Sequence, residues 1–316
     1  MQKKEFQEIG HTGGKAMRGK KKDVTECLDA LFKQLDKAKL APKTLLESEA
    51  QREHYESLLM FAFRKLQAAR YHRRRVDELM AEHHIELVQA EAMLKPEDHK
   101  LKGSNVKASI SQSRNELTFE LCAFFAAIRS GIDFLARACA QHIKGVKADS
   151  VTTLLKLVND GKTGPLLKII ADNAQWLVWL RDYRDYLVHR IVIQATSGGQ
   201  VIWKHGKAVT TPYPIVVPAD TPKHVPDTRR ARAFEEPESR FNVATSEVYY
   251  TYSDGKQHLI EQSVTIEPAE GYIRIEALMK RELTAFEALF IGIVEALTKL
   301  DFAATPLGKT PSKASA

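Results

Sequence analysis

The strongest constraint in this sequence is the length of its second apolar stripe. From about residue 44 to residue 94, Leu45, Leu58, Leu59, Ala62, Leu66, Ala69, Val76, Leu79 and Met80 recur at helical spacing, and the outer face of the segment is heavily charged. A typical globular helix runs to about 11–12 residues. A stripe several times longer must project or pair along its length, so residues 24–95 are predicted to form a helical hairpin or coiled-coil-like arm. The hairpin's first limb is "DVTECLDALFKQLDKAKL", which repeats Val24, Leu28, Leu31 and Leu35 behind Asp23 as an N-cap; Pro42 marks the break.

The remaining chain alternates in character. Residues 1–23 form a glycine-punctuated basic arm. Its "GHTGGK" fails as a phosphate-binding loop, because Ile9 stands where the first glycine belongs and Ala16 where Ser or Thr belongs, so a tight turn between two short strands is expected there. Residues 96–115 are polar, hold Pro96 and Gly103, show no period, and read as a linker. From 116 to 143, Leu117, Leu121, Phe124, Ile128, Ile132, Leu135 and Cys139 make a continuous stripe that runs through Gly131, although glycine costs a helix about 1 kcal/mol relative to alanine. Helices are expected over 150–160 and 163–189, the second broken near Asp172–Asn173.

Between 191 and 279 the chain turns to β-branched and aromatic runs, "IVIQAT", "QVIWKH", "YPIVV", "EVYYTY", "HLIEQSVTI" and "YIRIEAL", with "SDGK" as a hairpin turn. The four-proline stretch 218–240 reads as an exposed loop. Helix returns at 280–302 on Phe286, Leu289, Phe290, Ile293, Leu297 and Leu300, and the tail 303–316 has a disordered composition. The predicted fold is mainly α: a helical bundle from 116–190 plus 280–302, a small antiparallel sheet inserted over 191–279, and a long N-terminal helical arm.

Composition narrows the function classes. A chain of 316 residues with 44% hydrophobic content can bury a sizeable core. It has no apolar run of about 18 residues, so neither a membrane partner nor a span is expected, and the basic N-terminus lacks the apolar stretch of a secretory signal. Three cysteines, two of them in apolar helical pattern, fit buried thiols and a cytoplasmic location. The net charge of +7 permits a polyanionic partner.

The segment "RDYRDYLVHR" (181–190) then stands out. At about 100° per residue, Trp176, Trp179, Leu180, Tyr183, Tyr186 and Leu187 gather on one core face. Arg184 falls on its shoulder, with Asp185 nearly opposite the core and His189 just beyond. Val178 and Val188 share that outward face, which suggests a second surface over it, a partner subunit or the inserted sheet. These residue types suit cleavage of RNA by its own 2′-hydroxyl. Histidine can take or give a proton near neutrality, and arginine forks onto phosphate oxygens while keeping its charge. That route needs no metal or other cofactor, and "AEHHIE" (81–86) does not have metalloprotease spacing.

"RDYLVH", Arg184 through His189, resembles the R-x4-6-H motif of the HEPN superfamily, with polar Asp185 directly after the arginine. "ELCAFFAAIRSGIDFLARA" is similar to the long first helix of that family. The resemblance spans 116–190 and the returning helix. It implies a small helical bundle that dimerises so that two motifs face one cleft, and a metal-independent endoribonuclease of the kind found in toxin–antitoxin and anti-phage systems. Arg184 would stabilise the scissile phosphate, His189 would act as general acid or base, Asp185 would orient one of them, and Arg181 and Arg190 would add phosphate contacts. RNA, a second copy, and an antitoxin or other protein would be the partners.

Three plainer readings stand beside this one. Arg181, Asp182, Arg184 and Asp185 can pair among themselves at a solvated helix end, with His189 favoured by the helix dipole. The domain can be a noncatalytic module that grips nucleic acid or a partner, or a helical scaffold assembled through its arm. Arg129, Asp133 and Arg137 form an i,i+4 ladder read as structural, and "HRRR" (72–75) reads as a solvated helix face.

Overall fold

The computed structural model describes residues 23–38, 49–93, 106–113, 115–143, 146–189, 196–204, 207–220, 241–251 and 255–299. The expectations for the N-terminal basic arm, the proline-rich loop, Arg190 and the tail lie outside them. Seven helices are described: α1 (Val24–Ala38), α2 (Glu49–Met93), α3 (Asn115–Ala140), α4 (Val151–Asn159), α5 (Pro165–Asp172), α6 (Ala174–His189) and α7 (Ile275–Thr298). The fold is mainly helical with small antiparallel sheets.

The long N-terminal helix is present as the 45 residues of α2, about 67 Å of helix at 1.5 Å per residue. Its first three-fifths share the bundle's core. Tyr55, Leu58, Leu59, Ala62, Leu66, Ala69 and Val76 are buried in one cluster with α3 and α7. The helix runs antiparallel to α3, as Phe61 meets Phe134 and, farther along, His72 bonds Glu120 at 2.7 Å. Arg70 ties α2 to Glu287 of α7 at 2.8 Å. The limb α1 buries Val24, Leu28, Leu31 and Leu35 and lies against α7; Arg52 joins it to α2 through Asp36 at 2.7 Å. Each large apolar side chain taken fully from water is worth roughly 1.5–3 kcal/mol, so the apolar stripe of α2 gains more by joining this core than by projecting alone.

Gly131 explains why a glycine sits inside α3. A Cβ there would come within 2.5 Å of Phe286 Cζ and 3.2 Å of Lys65 Cβ. Three helices meet where only hydrogen fits. The expected break in 163–189 falls at Asn173, whose side-chain amide donates to Ile169 O at 2.9 Å and whose backbone N–H donates to Ile170 O, closing α5.

The strands form three antiparallel groups. β1 (Val106–Ser113), β2 (Thr196–Lys204) and β3 (Lys207–Pro212) make one sheet in that order; β4 (Val216–Pro218) pairs β7 (Tyr272–Arg274), and β5 (Phe241–Thr251) pairs β6 (Gln257–Pro268). The expected hairpin is the β5–β6 pair, its turn reaching Gly255 at φ +78°. Two results differ from the sequence reading. The stretch expected as a linker contains β1, with Ser113 opposite Thr196 and Val106 opposite Trp203. The run "YIRIEAL" is strand only to Arg274; from Ile275 it is α7, with Ile275, Leu278 and Met279 buried.

The first sheet packs on the distal half of α2, where Leu87 and His83 are buried and a Cβ on Gly199 would lie 3.0 Å from Leu87 Cδ1. It therefore stands over the end of the bundle where α3 begins and α6 ends. No described helix is long and apolar enough to cross a membrane.

Candidate functional site at the end of α6

The helix α6 keeps its apolar side inward. Trp176, Leu177, Leu180, Tyr183, Tyr186 and Leu187 are buried, and Leu177 extends the core face beyond the residues expected there. Phe125 of α3 packs on Trp179 and Tyr183, whose rings stack at 4.8 Å. The phenol of Tyr183 donates to Pro218 O at 2.7 Å, and burial raises its pKa well above the ordinary tyrosine value. Trp179 Nε1 donates to Asp220 at 2.8 Å. These bonds tie α6 to the β4 segment and fix the helix's rotation.

With that rotation set, positions 178, 182, 185 and 189 follow one another at spacings of four, three and four along the outward side. Val178 is 39% exposed, so the inserted strands do not cover the strip there. Asp182 and Asp185 lie on the same line, each with about half its side chain in solvent. His189 is the last helical residue and comes one turn after Asp185.

Arg184 sits on the shoulder of the core face. Its Nη1 donates to Asp185 Oδ1 at 2.8 Å, and its Nε is buried with no hydrogen-bond partner. About a third of the side chain remains exposed. Arg181 pairs with Asp182 at 2.8 Å, farther out. The structure thus joins Arg184 to Asp185 and places Arg181 in a separate pair. Over five residues, Arg184 and His189 are separated by about 7.5 Å along the axis and about 140° around it. A group bridging them must lie across the helix end rather than along one face.

The Arg129–Asp133–Arg137 ladder does structural work. Asp133 Oδ1 accepts the Val151 N–H at 2.9 Å, capping α4, whose own N-cap Ser150 makes no side-chain bond. Arg129 pairs with Asp133 at 3.3 Å and donates to Thr152, while Arg137 Nε donates to Asp149 O at 3.0 Å. The arginines of "HRRR" are answered by acids on their own helix, Arg73 by Asp77, Arg74 by Glu78, and Arg75 by Glu78 and Glu82, while His72 bonds Glu120 of α3. Of the thiols, Cys27 and Cys139 are buried and Cys122 is half-buried, and none of the three is in a disulfide. Among the described residues no group of three or more His, Cys, Asp or Glu is placed to hold a metal ion.

One buried charge escaped the sequence reading. Glu282 is buried on the core side of α7, accepting Trp176 Nε1–H and Arg281 Nε–H, each at 2.6 Å. Arg281 in turn lies 5.0 Å over the Trp179 ring. The available signal was an acid one turn before Phe286, on the apolar stripe itself.

No protein-family model matches this chain, no curated protein matches it, and no solved structure matches it.

Proposed function

We propose that the protein is a metal-independent endoribonuclease of HEPN type, acting through Arg184 and His189 at a cleft between two copies, in a toxin–antitoxin or anti-phage setting. The observation that carries this reading is the C-terminal end of α6, where Arg184, about a third exposed and bonded to Asp185, stands five residues before His189 at the helix end. A 2′-hydroxyl attacks the adjacent phosphorus, the 5′-oxygen leaves, and a cyclic phosphate forms. His189 serves this exchange by taking or giving the proton. Arg184 balances charge on the non-bridging oxygens, held in place by Asp185. Arg181 and Arg190 contribute phosphate contacts. A second copy supplies the other half of the cleft, and the cytoplasm is the expected compartment.

The test is cleavage of single-stranded RNA in EDTA by wild type, Arg184→Ala and His189→Ala. Activity that survives EDTA and drops by about 100-fold or more in each variant supports the enzyme. Binding without cleavage in wild type would replace it with a noncatalytic module. The Arg184–Asp185 pair favours that second reading as readily, because a paired guanidinium can grip a phosphate without any chemistry following.

A further inference from the structure

A different surface, on the far side of α3 from the core, exposes an unusual set of side chains. The register of α2 against α3 is set by the Phe61–Phe134 contact and the His72–Glu120 bond. It puts Phe61, Arg64 and Tyr71 of α2 on the same outer face as Phe119, Phe134 and Arg137 of α3. Phe119 is 68% exposed, Tyr71 51% and Phe61 43%. Large apolar groups exposed together on one face mark a contact surface more often than they mark chance.

Cations cap these rings. Arg64 Cζ lies 5.8 Å from the Phe61 centroid, and Arg137 Cζ lies 5.6 Å from that of Phe134. The two Phe rings touch at 5.4 Å, so each arginine sits over one ring of a linked pair. Arg137 spends only its Nε on Asp149 O. Between the aromatic ends the outward positions include the small Ala68 and Ser130, and the nearest carboxylates, Glu120 and Asp133, are spent on His72 and on Arg129 with the Val151 N–H. Arg74 of the neighbouring "HRRR" segment also lies 5.8 Å from the Tyr71 centroid, but it is paired with Glu78, as Arg73 and Arg75 are with Asp77, Glu78 and Glu82.

We propose that this face of the α2–α3 pair binds single-stranded nucleic acid. Exposed ring faces offer stacking to bases of any identity, and arginines beside them meet the phosphates between those bases. From Phe61 to Tyr71 the helix rises about 15 Å, the length of about four stacked nucleotides at 3.4 Å each. Arg64 and Arg137, which join no ion pair among the described residues, together with rings that are exposed in part, Phe61 and Phe134 each having one face under a cation, fit a polyanion with π-faces better than another apolar helix. The proposal gives the RNA of the preceding reading a track outside the α6 strip, and rests on that reading only for the substrate class.

The experiment uses the full chain and a fluorescein-labelled oligo-dT of about twelve nucleotides, which has no 2′-hydroxyl and cannot be cut by the proposed chemistry. Anisotropy titrations across a salt series compare wild type with Phe61→Ala, Arg64→Gln and, as a control, Arg75→Gln. Phe61→Ala is expected to weaken binding roughly tenfold, and Arg64→Gln to flatten the log–log salt slope by about 0.7; Arg75→Gln should match wild type. Wild-type protein that does not bind, or variants that bind equally, overturns the proposal. So does a change of sedimentation in Phe61→Ala with binding intact, which would make the face a protein interface. Arg184→Ala that loses RNA cleavage but binds oligo-dT normally separates this surface from the α6 site. Oligo-dT binding that depends on Phe61, in a protein without ribonuclease activity, leaves this proposal standing and removes the other.

Discussion

Lowering the pH should weaken this fold through His142. The imidazole is 3% exposed, edge-on to Tyr55 at 5.3 Å, at the end of α3 that packs against the start of α2. Burial disfavours its charged form and lowers its pKa from 6.5 to about 4. The unfolded chain therefore takes up a proton as pH falls through 6.5, while the folded chain does not until about 4. In that window the unfolded state holds more protons, so stability falls with pH, by up to about 1.4 kcal/mol per unit, and levels off on either side. Over the 2.5 units between the two values the loss is roughly 3 kcal/mol, a large part of a typical domain's stability. Urea midpoints followed by tryptophan fluorescence at pH 7, 5.5 and 4 should fall more steeply in wild type than in His142→Leu, which cannot titrate. The difference between the two curves isolates this residue from the other histidines and the carboxylates. Equal slopes, or a His142 ring proton that titrates near 6.5, would refute the argument.

Two further perturbations probe the packing that holds α6 in place. Gly131→Ala raises helix propensity by about 1 kcal/mol, but the 2.5 Å approach to Phe286 Cζ adds an overpacking cost of about 1–3 kcal/mol. The net change expected in urea unfolding is a loss of about 1 kcal/mol, partly recovered in Gly131→Ala/Phe286→Leu, which removes the ring. Asp133→Ala uncaps α4 and leaves Arg129 without its carboxylate. A loss of about 1–2 kcal/mol is expected, read as a lower melting temperature, with RNA cleavage per folded molecule unchanged.

Much of the helical layout is legible from spacing. The stripes at 24–35, 55–76, 117–139 and 286–297 bury as their periodicity requires, and the break at Asn173 falls where it was expected. The inward and outward sides of α6 follow from the same rule, whereas the inserted sheet that was one expected cover for Val178 leaves it 39% exposed. What spacing misses are features that depend on a distant partner. β1 is a polar strand whose pairing residues lie in β2, about ninety positions away, so nothing local marks it. Glu282 looks like a misplaced surface acid until Trp176 and Arg281 are seen to bond both of its oxygens. Gly131 looks like a defect until Phe286 occupies the space its missing side chain leaves.

The sequence by itself determined most of the helical stretches, which side of each is apolar, and that Arg184, Asp185 and His189 stand in the last two turns of a helix, off the line of its core residues. Periodicity is a local property and survives in the unfolded chain, so it can be read without coordinates. Only the tertiary structure decided that the long N-terminal helix shares the bundle's core and lines Phe61 and Arg64 up with Phe119 and Arg137. That alignment depends on helix crossings set by side chains far apart in the chain, because close packing rewards a particular fit between faces and no single segment carries both of them.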